Sequence, residues 1–194
     1  MLHKNEVDFK SWAESWLKTA GCNEIWHDIE EEDGKIKKFT VQQRVWKNGE
    51  GNRLRVQKYK CAFYDKDMKV IDVIEIITKD DKETFEVEEL VGKDAPFAYH
   101  INYKNNGFAK FNIDTKSLKA FEDNLISIED SMSRKQIYNI MYDMLKENYL
   151  SGAQLLSICK QQLVKETAVD VLTDVMRFVI PVVIKNYIPL DIYE

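Results

Sequence analysis

Ile128-Glu129-Asp130-Ser131-Met132-Ser133-Arg134, followed at helical spacing by Tyr142-Asp143-Met144 and then by Ser151, is the stretch on which the fold of this chain turns. Ile137, Ile140, Met141, Met144 and Leu145 recur at i, i+3, i+4, i+7 and i+8, so one side of a helix is apolar and is expected to be buried. Asp130 or Ser131 stands where a short polar side chain can accept N–H groups that the first turn leaves unpaired. The same period returns in Leu155, Leu156, Cys159 and Leu163, and again in Leu172, Val175, Met176, Val179, Val183 and Tyr187. Lys116 to Asn124 fits a further helix on the upstream side. Pro181 falls inside the last run and must kink it or begin a new helix, because it removes a backbone donor. Helix pairs joined by short loops read as the start of an α-solenoid.

Upstream of Asp114 the period changes to alternation. Strands are expected from about Asn23, around Phe39, Val41 and Val45 after an Asp33-Gly34 turn, and over Arg53 to Tyr64 with a bulge near Gln57 or Lys58. Val70 to Ile77 is apolar on both parities apart from Asp72 and Glu75, which predicts a central strand covered on both faces. Thr84 to Val87 forms another strand, while Ala98 to Tyr103 and Phe108 to Ile113 are expected to pair across Asn105-Asn106-Gly107. Seven strands at this spacing, with no crossover helix between them, predict an antiparallel β-sandwich. Ahead of it, Phe9, Trp12, Ala13, Trp16, Leu17 and Ala20 make one stripe of a short helix that Asp8 can cap and Gly21 can end. The fold class is therefore α+β in sequence order. Residues 1–22 form an N-terminal linker helix, 23–114 a β-sandwich and 115–194 the first helices of a helical-repeat domain, each larger unit with its own core.

The length of 194 residues is enough for a sizeable core, and a formal charge of −5 argues against nucleic acid as the main partner. Arg53, Arg55, Lys58 and Lys60 are the nearest approach to a basic stripe and read as the wet face of a strand. Three widely spaced cysteines without a C-x-x-C pair suggest reduced thiols. The N-terminus has no apolar signal core and no run is long enough to span a bilayer, so a cytoplasmic location is expected, without membrane contact.

The motif around Asp130 resembles the large zinc aminopeptidases of the aminopeptidase N and puromycin-sensitive type, in which an "IED…SR…W…YDM…S" run opens the helical C-terminal domain. Tyr138 or a neighbour stands in place of the Trp. Further matches stand upstream in the same order: Trp12, Trp16 and Ala20-Gly21-Cys22-Asn23-Glu24-Ile25, then Phe39-Thr40-Val41-Gln42-Gln43, Leu54-Arg55, Tyr64-Asp65, Glu89-Leu90-Val91-Gly92 and Ala109-Lys110 before Asp114. The resemblance runs from about Asp8 to Ser151 and implies the region that follows the catalytic domain. The chemistry of that family needs H-E-x-x-H on a helix, with the Glu as general base, and a G-x-M-E-N loop that holds the substrate amine. His3, His27 and His100 are followed by Lys4, Asp28 and Ile101, and no Met precedes a Glu-Asn pair, so neither motif is present. No catalytic or metal-ligating residue carries over. Zinc is expected only in a catalytic domain outside this chain.

Other chemistry-bearing residues have plainer readings. Asp28, Glu30, Glu31, Glu32 and Asp33 lack the spacing of a calcium loop and read as a solvated turn. Cys61, Cys159 and His100 fall in apolar stripes, where buried inert side chains are the rule. Gly49-Glu50-Gly51 lacks the strand-to-helix setting of a phosphate loop. Glu129, Asp130 and Arg134 are expected to cap a helix and pin the sandwich to the helical part. Trp12 and Trp16 at one end, and Val179, Val183 and Tyr187 at the other, are candidate interaction residues, because the resemblance implies neighbours that would cover both stripes. The expected function is a non-catalytic C-terminal portion of a zinc aminopeptidase-like protein, inactive alone, supporting a catalytic chain through protein contacts or self-association. The alternative is a scaffold subunit of a larger assembly with no peptidase role.

Overall fold

The computed structural model of the chain describes residues 8–46 and 53–189. His3, Gly49-Glu50-Gly51 and the last five residues lie outside them. The described chain is α+β, with a short N-terminal helix, two sheets in the first half and helices thereafter. No helix among the described residues is long and apolar enough to cross a membrane.

Helix α1 (Phe9–Leu17) leads into seven strands, β1 (Asn23–Glu32), β2 (Lys35–Val45), β3 (Lys58–Tyr64), β4 (Val70–Ile77), β5 (Thr84–Glu86), β6 (Ala98–Tyr103) and β7 (Lys110–Phe111). One sheet has the order β5-β2-β1-β7 and the other β4-β3-β6. β1 and β2 join through a two-residue turn in which Asp33 and Gly34 have φ of 52° and 73°. That left-handed pair matches the right-handed twist of the flanking strands. The sheets meet face to face through aromatic rings: His27 of β1 stacks on Tyr59 of β3, and Phe39 of β2 meets Phe63 edge-on at 5.9 Å.

Three sequence expectations are corrected here. β6 and β7 do not form a hairpin: β6 pairs with β3, and β7 runs parallel to β1 in the opposite sheet. The crossing is built by Asn102, whose Oδ1 accepts from the Gly107 N–H at 2.7 Å and whose Nδ2 donates to the Gly107 carbonyl at 3.1 Å. Asn102, Lys104 and Asn105 all take left-handed φ, which turns the chain from one sheet to the other. Second, β4 is an edge strand with one face covered: Ile74 and Ile76 are buried, whereas Val73 and Ile77 are 38% and 54% exposed. The covering layer on that side of the sheet packs on β6 and the end of β3, where Phe121 meets Tyr64, and stops short of β4. Third, residues 53–57 precede β3 rather than belonging to it, and Arg55 is 1% exposed instead of facing water.

The helices are α2 (Thr115–Asn124), α3 (Ser131–Lys146), α4 (Gly152–Leu163), α5 (Val169–Asp174) and α6 (Ile180–Tyr187). Asp114 caps α2 by accepting from the Ser117 N–H at 3.0 Å, and Ser151 caps α4 by accepting from Gln154 at 3.1 Å. A π-helical turn, Val175–Val179, joins α5 to α6, and Pro181 sits in the first turn of α6, directly after the π-helical turn. α2 packs on β6 and on α4, α3 on α4 and α5, and α4 on α6. Buried side chains from Ile25 through Phe121 and Ile137 to Val183 form one continuous cluster, so sheets and helices share a core instead of being cored separately.

Candidate interaction surface and its structural hub

Asp8 opens α1 with both carboxylate oxygens, accepting from the N–H groups of Lys10 at 3.2 Å and Ser11 at 3.1 Å. The helix then lies on the segment before β3, because Trp12 and Trp16 both point their indole N–H at the Val56 carbonyl, at 3.2 and 3.4 Å. Arg55 ties down the far end of α1: its Nε donates to the Ser15 carbonyl at 2.9 Å and its Nη2 to Thr19 Oγ1 at 2.7 Å and the Ala20 carbonyl at 2.9 Å. The last carbonyls of a helix lack an intrahelical partner, and the cluster of acceptors at the end of α1 is why an arginine is buried here. Its guanidinium also lies over the Trp16 ring, 5.3 Å from the centroid.

The two indoles are thus neither fully solvated nor fully covered. Trp16 is half-buried against Phe108 at 6.1 Å, while Trp12 is 38% and Phe9 76% exposed. With Val56, Ile77 and Phe108 they line an open groove of about 730 Å³ that is mostly apolar. The second expected surface is placed differently. Val183 is buried within this chain because α6 packs on α4, Val179 because the π-helical turn packs on α3, and Tyr187 is half-buried beside Gly152. They present no open face. The residues of that region that do face outward are Met176 and Phe178 in the π-helical turn and Val169 at the start of α5.

Of the three signature residues only Asp130 reaches the junction between sandwich and helices. Asp130 occupies the cap position of α3; its carboxylate accepts from Ser133 Oγ at 2.6 Å and forms an ion pair with Lys104 of the β6–β7 crossing at 3.2 Å. Burial alone would raise the Asp130 carboxyl, but the Ser133 and Lys104 hydrogen bonds outweigh it and hold it below the usual carboxylate value. Arg134 donates through Nη1 to the carbonyls of Ile128 at 2.6 Å and Glu129 at 3.0 Å, while the Glu129 side chain itself is exposed. Its remaining donors go to Glu166, a residue with no sequence signal of its own. Glu166 accepts in addition from the N–H groups of Thr167 and Ala168, both at 2.9 Å, in the segment that leads into α5.

The other reactive side chains are enclosed. Burial pushes the Cys61 thiol well above its usual range and the Cys159 thiol up to about 12, which leaves both protonated and unreactive at neutral pH. His27 and His100 are lowered to about 3, again by burial, so both are neutral imidazoles. Among the described residues no group of three or more His, Cys, Asp or Glu side chains is arranged to hold a metal ion.

No family model matches this chain. Among curated proteins it is similar to the Aminopeptidase N of Streptomyces lividans, 27% identical over 177 residues. The match covers 88% of this chain and 21% of that enzyme, so the chain spans about a fifth of the relative's length and bears a distant likeness to an aminopeptidase.

Proposed function

We propose that this chain is the post-catalytic region of a zinc aminopeptidase-like protein, a sandwich and helical support inactive by itself that carries a catalytic unit whose reaction is removal of N-terminal residues from peptides. The observation that carries this reading is a likeness extending over 88% of the chain to only 21% of an aminopeptidase N, in a sequence with neither H-E-x-x-H nor G-x-M-E-N. The Asp130–Lys104 ion pair and the shared core support it, since they link the sheets to the helices, while the Arg134 contacts hold the helical part together. The groove of Phe9, Trp12, Trp16 and Phe108 is then the surface that meets the catalytic unit, because aromatic side chains dominate the energetics of such contacts.

Purified chain supplied with zinc should cleave no aminoacyl reporter substrate. Affinity capture from the source cells, followed by sequencing of whatever polypeptide contains or accompanies the chain, should find H-E-x-x-H. Chelator-sensitive turnover by the chain alone, or a stable assembly with no H-E-x-x-H in any member, would overturn the proposal; the second result would mark a scaffold subunit.

A further inference from the structure

Asn106-Gly107 is the one Asn-Gly pair among the described residues, and it sits where the chain crosses from one sheet to the other. Asparagine is a thermolabile residue for a chemical reason: the backbone nitrogen that follows it can attack its side-chain amide. A following glycine makes the attack easiest, because it has no Cβ to block the approach and reaches backbone angles closed to other residues. Asn106 is exposed on the lining of the tryptophan groove, and among the described residues its side-chain amide enters no hydrogen bond. The attacking nitrogen is guarded instead. The Gly107 N–H donates to Asn102 Oδ1 at 2.7 Å, the Gly107 carbonyl accepts from Asn102 Nδ2 at 3.1 Å, and the next N–H, that of Phe108, donates to Gln57 Oε1 at 2.9 Å. Both peptide units that flank Gly107 are therefore pinned.

We propose that Asn106 is a site of spontaneous covalent modification, conversion by water to aspartate and isoaspartate, and that Asn102 is the gate that holds it back. When the Asn102 bonds open, the Gly107 nitrogen loses its proton to solvent and bonds to Asn106 Cγ. The bond from Cγ to Nδ2 breaks, and the side-chain nitrogen takes up a proton and leaves as ammonia. Water then opens the cyclic imide: at one carbonyl it yields aspartate, at the other an isoaspartate whose main chain runs through the former side-chain carbon. Either product places a carboxylate on a groove whose lining, among the described residues, has Lys58 as its one charged side chain. Isoaspartate also lengthens the main chain directly before Gly107, where an added Cβ would already stand 2.9 Å from Phe111 Cζ. The charge of the groove and the fit of the crossing change together. This assignment does not depend on the aminopeptidase reading.

Peptide mass mapping with isoaspartate-specific methylation, over a time course near neutral pH, tests it, with far-UV circular dichroism as the check on folding. Asn102→Gly accepts the left-handed φ of 63° and removes both side-chain bonds to Gly107, so the folded variant should convert at Asn106 about tenfold or more faster than the folded unmodified chain. The unmodified chain in urea should convert at least as fast as the variant. No conversion at Asn106 in urea overturns the site. Conversion of the folded unmodified chain as fast as in urea overturns the gate, and with it the proposal, whether or not the variant folds. A folded variant no faster than the unmodified chain does the same.

Discussion

Arg134 and Glu166 form a two-pronged ion pair inside the helical half, with Nε to Oε2 at 2.7 Å and Nη2 to Oε1 at 2.6 Å, and side chains only 8% and 2% exposed. Each partner satisfies backbone groups as well, Arg134 at the end of the segment before α3 and Glu166 at the start of α5. Taking either away strands a buried charge. Arg134→Ala and Glu166→Ala should therefore each cost about 3–5 kcal/mol by urea denaturation. The double variant should cost less than the sum of the two, since the second removal no longer breaks a pair. Additive losses would show that the two side chains act independently.

His27 and His100 set the acid limit of the fold. Both are fully enclosed and lowered to about 3 from an ordinary 6.5. Between those values the unfolded chain binds protons that the folded chain refuses, so stability is complete above about pH 6.5 and falls as the pH drops toward 3. Both ring nitrogens of His100 lack a hydrogen-bond partner, which makes His100→Phe an informative change. That variant should unfold less steeply between pH 6 and 4 in a thermal-midpoint series than the unmodified chain. An unchanged slope would place the acid sensitivity elsewhere.

Glu166 contributes to the same limb from a different cause. Burial favours its protonated form, but hydrogen bonds from Arg134 and from the Ala168 and Thr167 N–H groups prevail and hold it below the ordinary 4.5. Its contribution is present above that value and disappears as the pH falls through the lower folded pKa, so Arg134→Ala should flatten the stability profile below about pH 4.5. Urea midpoints at pH 3.5 and 5.5 would read the difference.

Neighbours on β4 should respond in opposite ways. Ile76 is 2% exposed and Ile77 54%. Ile76→Ala should cost about 2–5 kcal/mol through lost burial and the cavity left behind, whereas Ile77→Ala should stay within about 0.5 kcal/mol under monomeric conditions. Equal costs would contradict the edge position of β4.

Gly107 has no room for a side chain. A Cβ there would stand 2.9 Å from Phe111 Cζ, 3.0 Å from Tyr59 Cβ and 3.1 Å from Asn102 Oδ1. Gly107→Ala should lower stability by about 1–3 kcal/mol, because the crowding falls on the crossing between the sheets. A thermal midpoint equal to that of the unmodified chain would show that the crossing yields freely.

What the sequence determines by itself is local. The Asp33-Gly34 turn, the helical stripes after Asp114, the cap positions at Asp8 and Asp130, and the want of a zinc-binding motif all follow from spacing and residue type. They do so because periodicity records which side of an element is apolar, and short-range capping records where it begins. Which partner covers that side is not written in the period. Val70 to Ile77 carries apolar residues on both parities, yet only Ile74 and Ile76 are buried, because the helical layer ends before β4. Arg55 alternates like a surface residue, yet the end of α1 encloses it. Val179 and Val183 are taken up by α3 and α4, and Arg134 finds Glu166, 32 residues on, in a loop with no pattern of its own. Tertiary structure decided these, since burial depends on what the rest of the chain brings alongside, and a charge is held inside only where its partner's geometry offsets the loss of water.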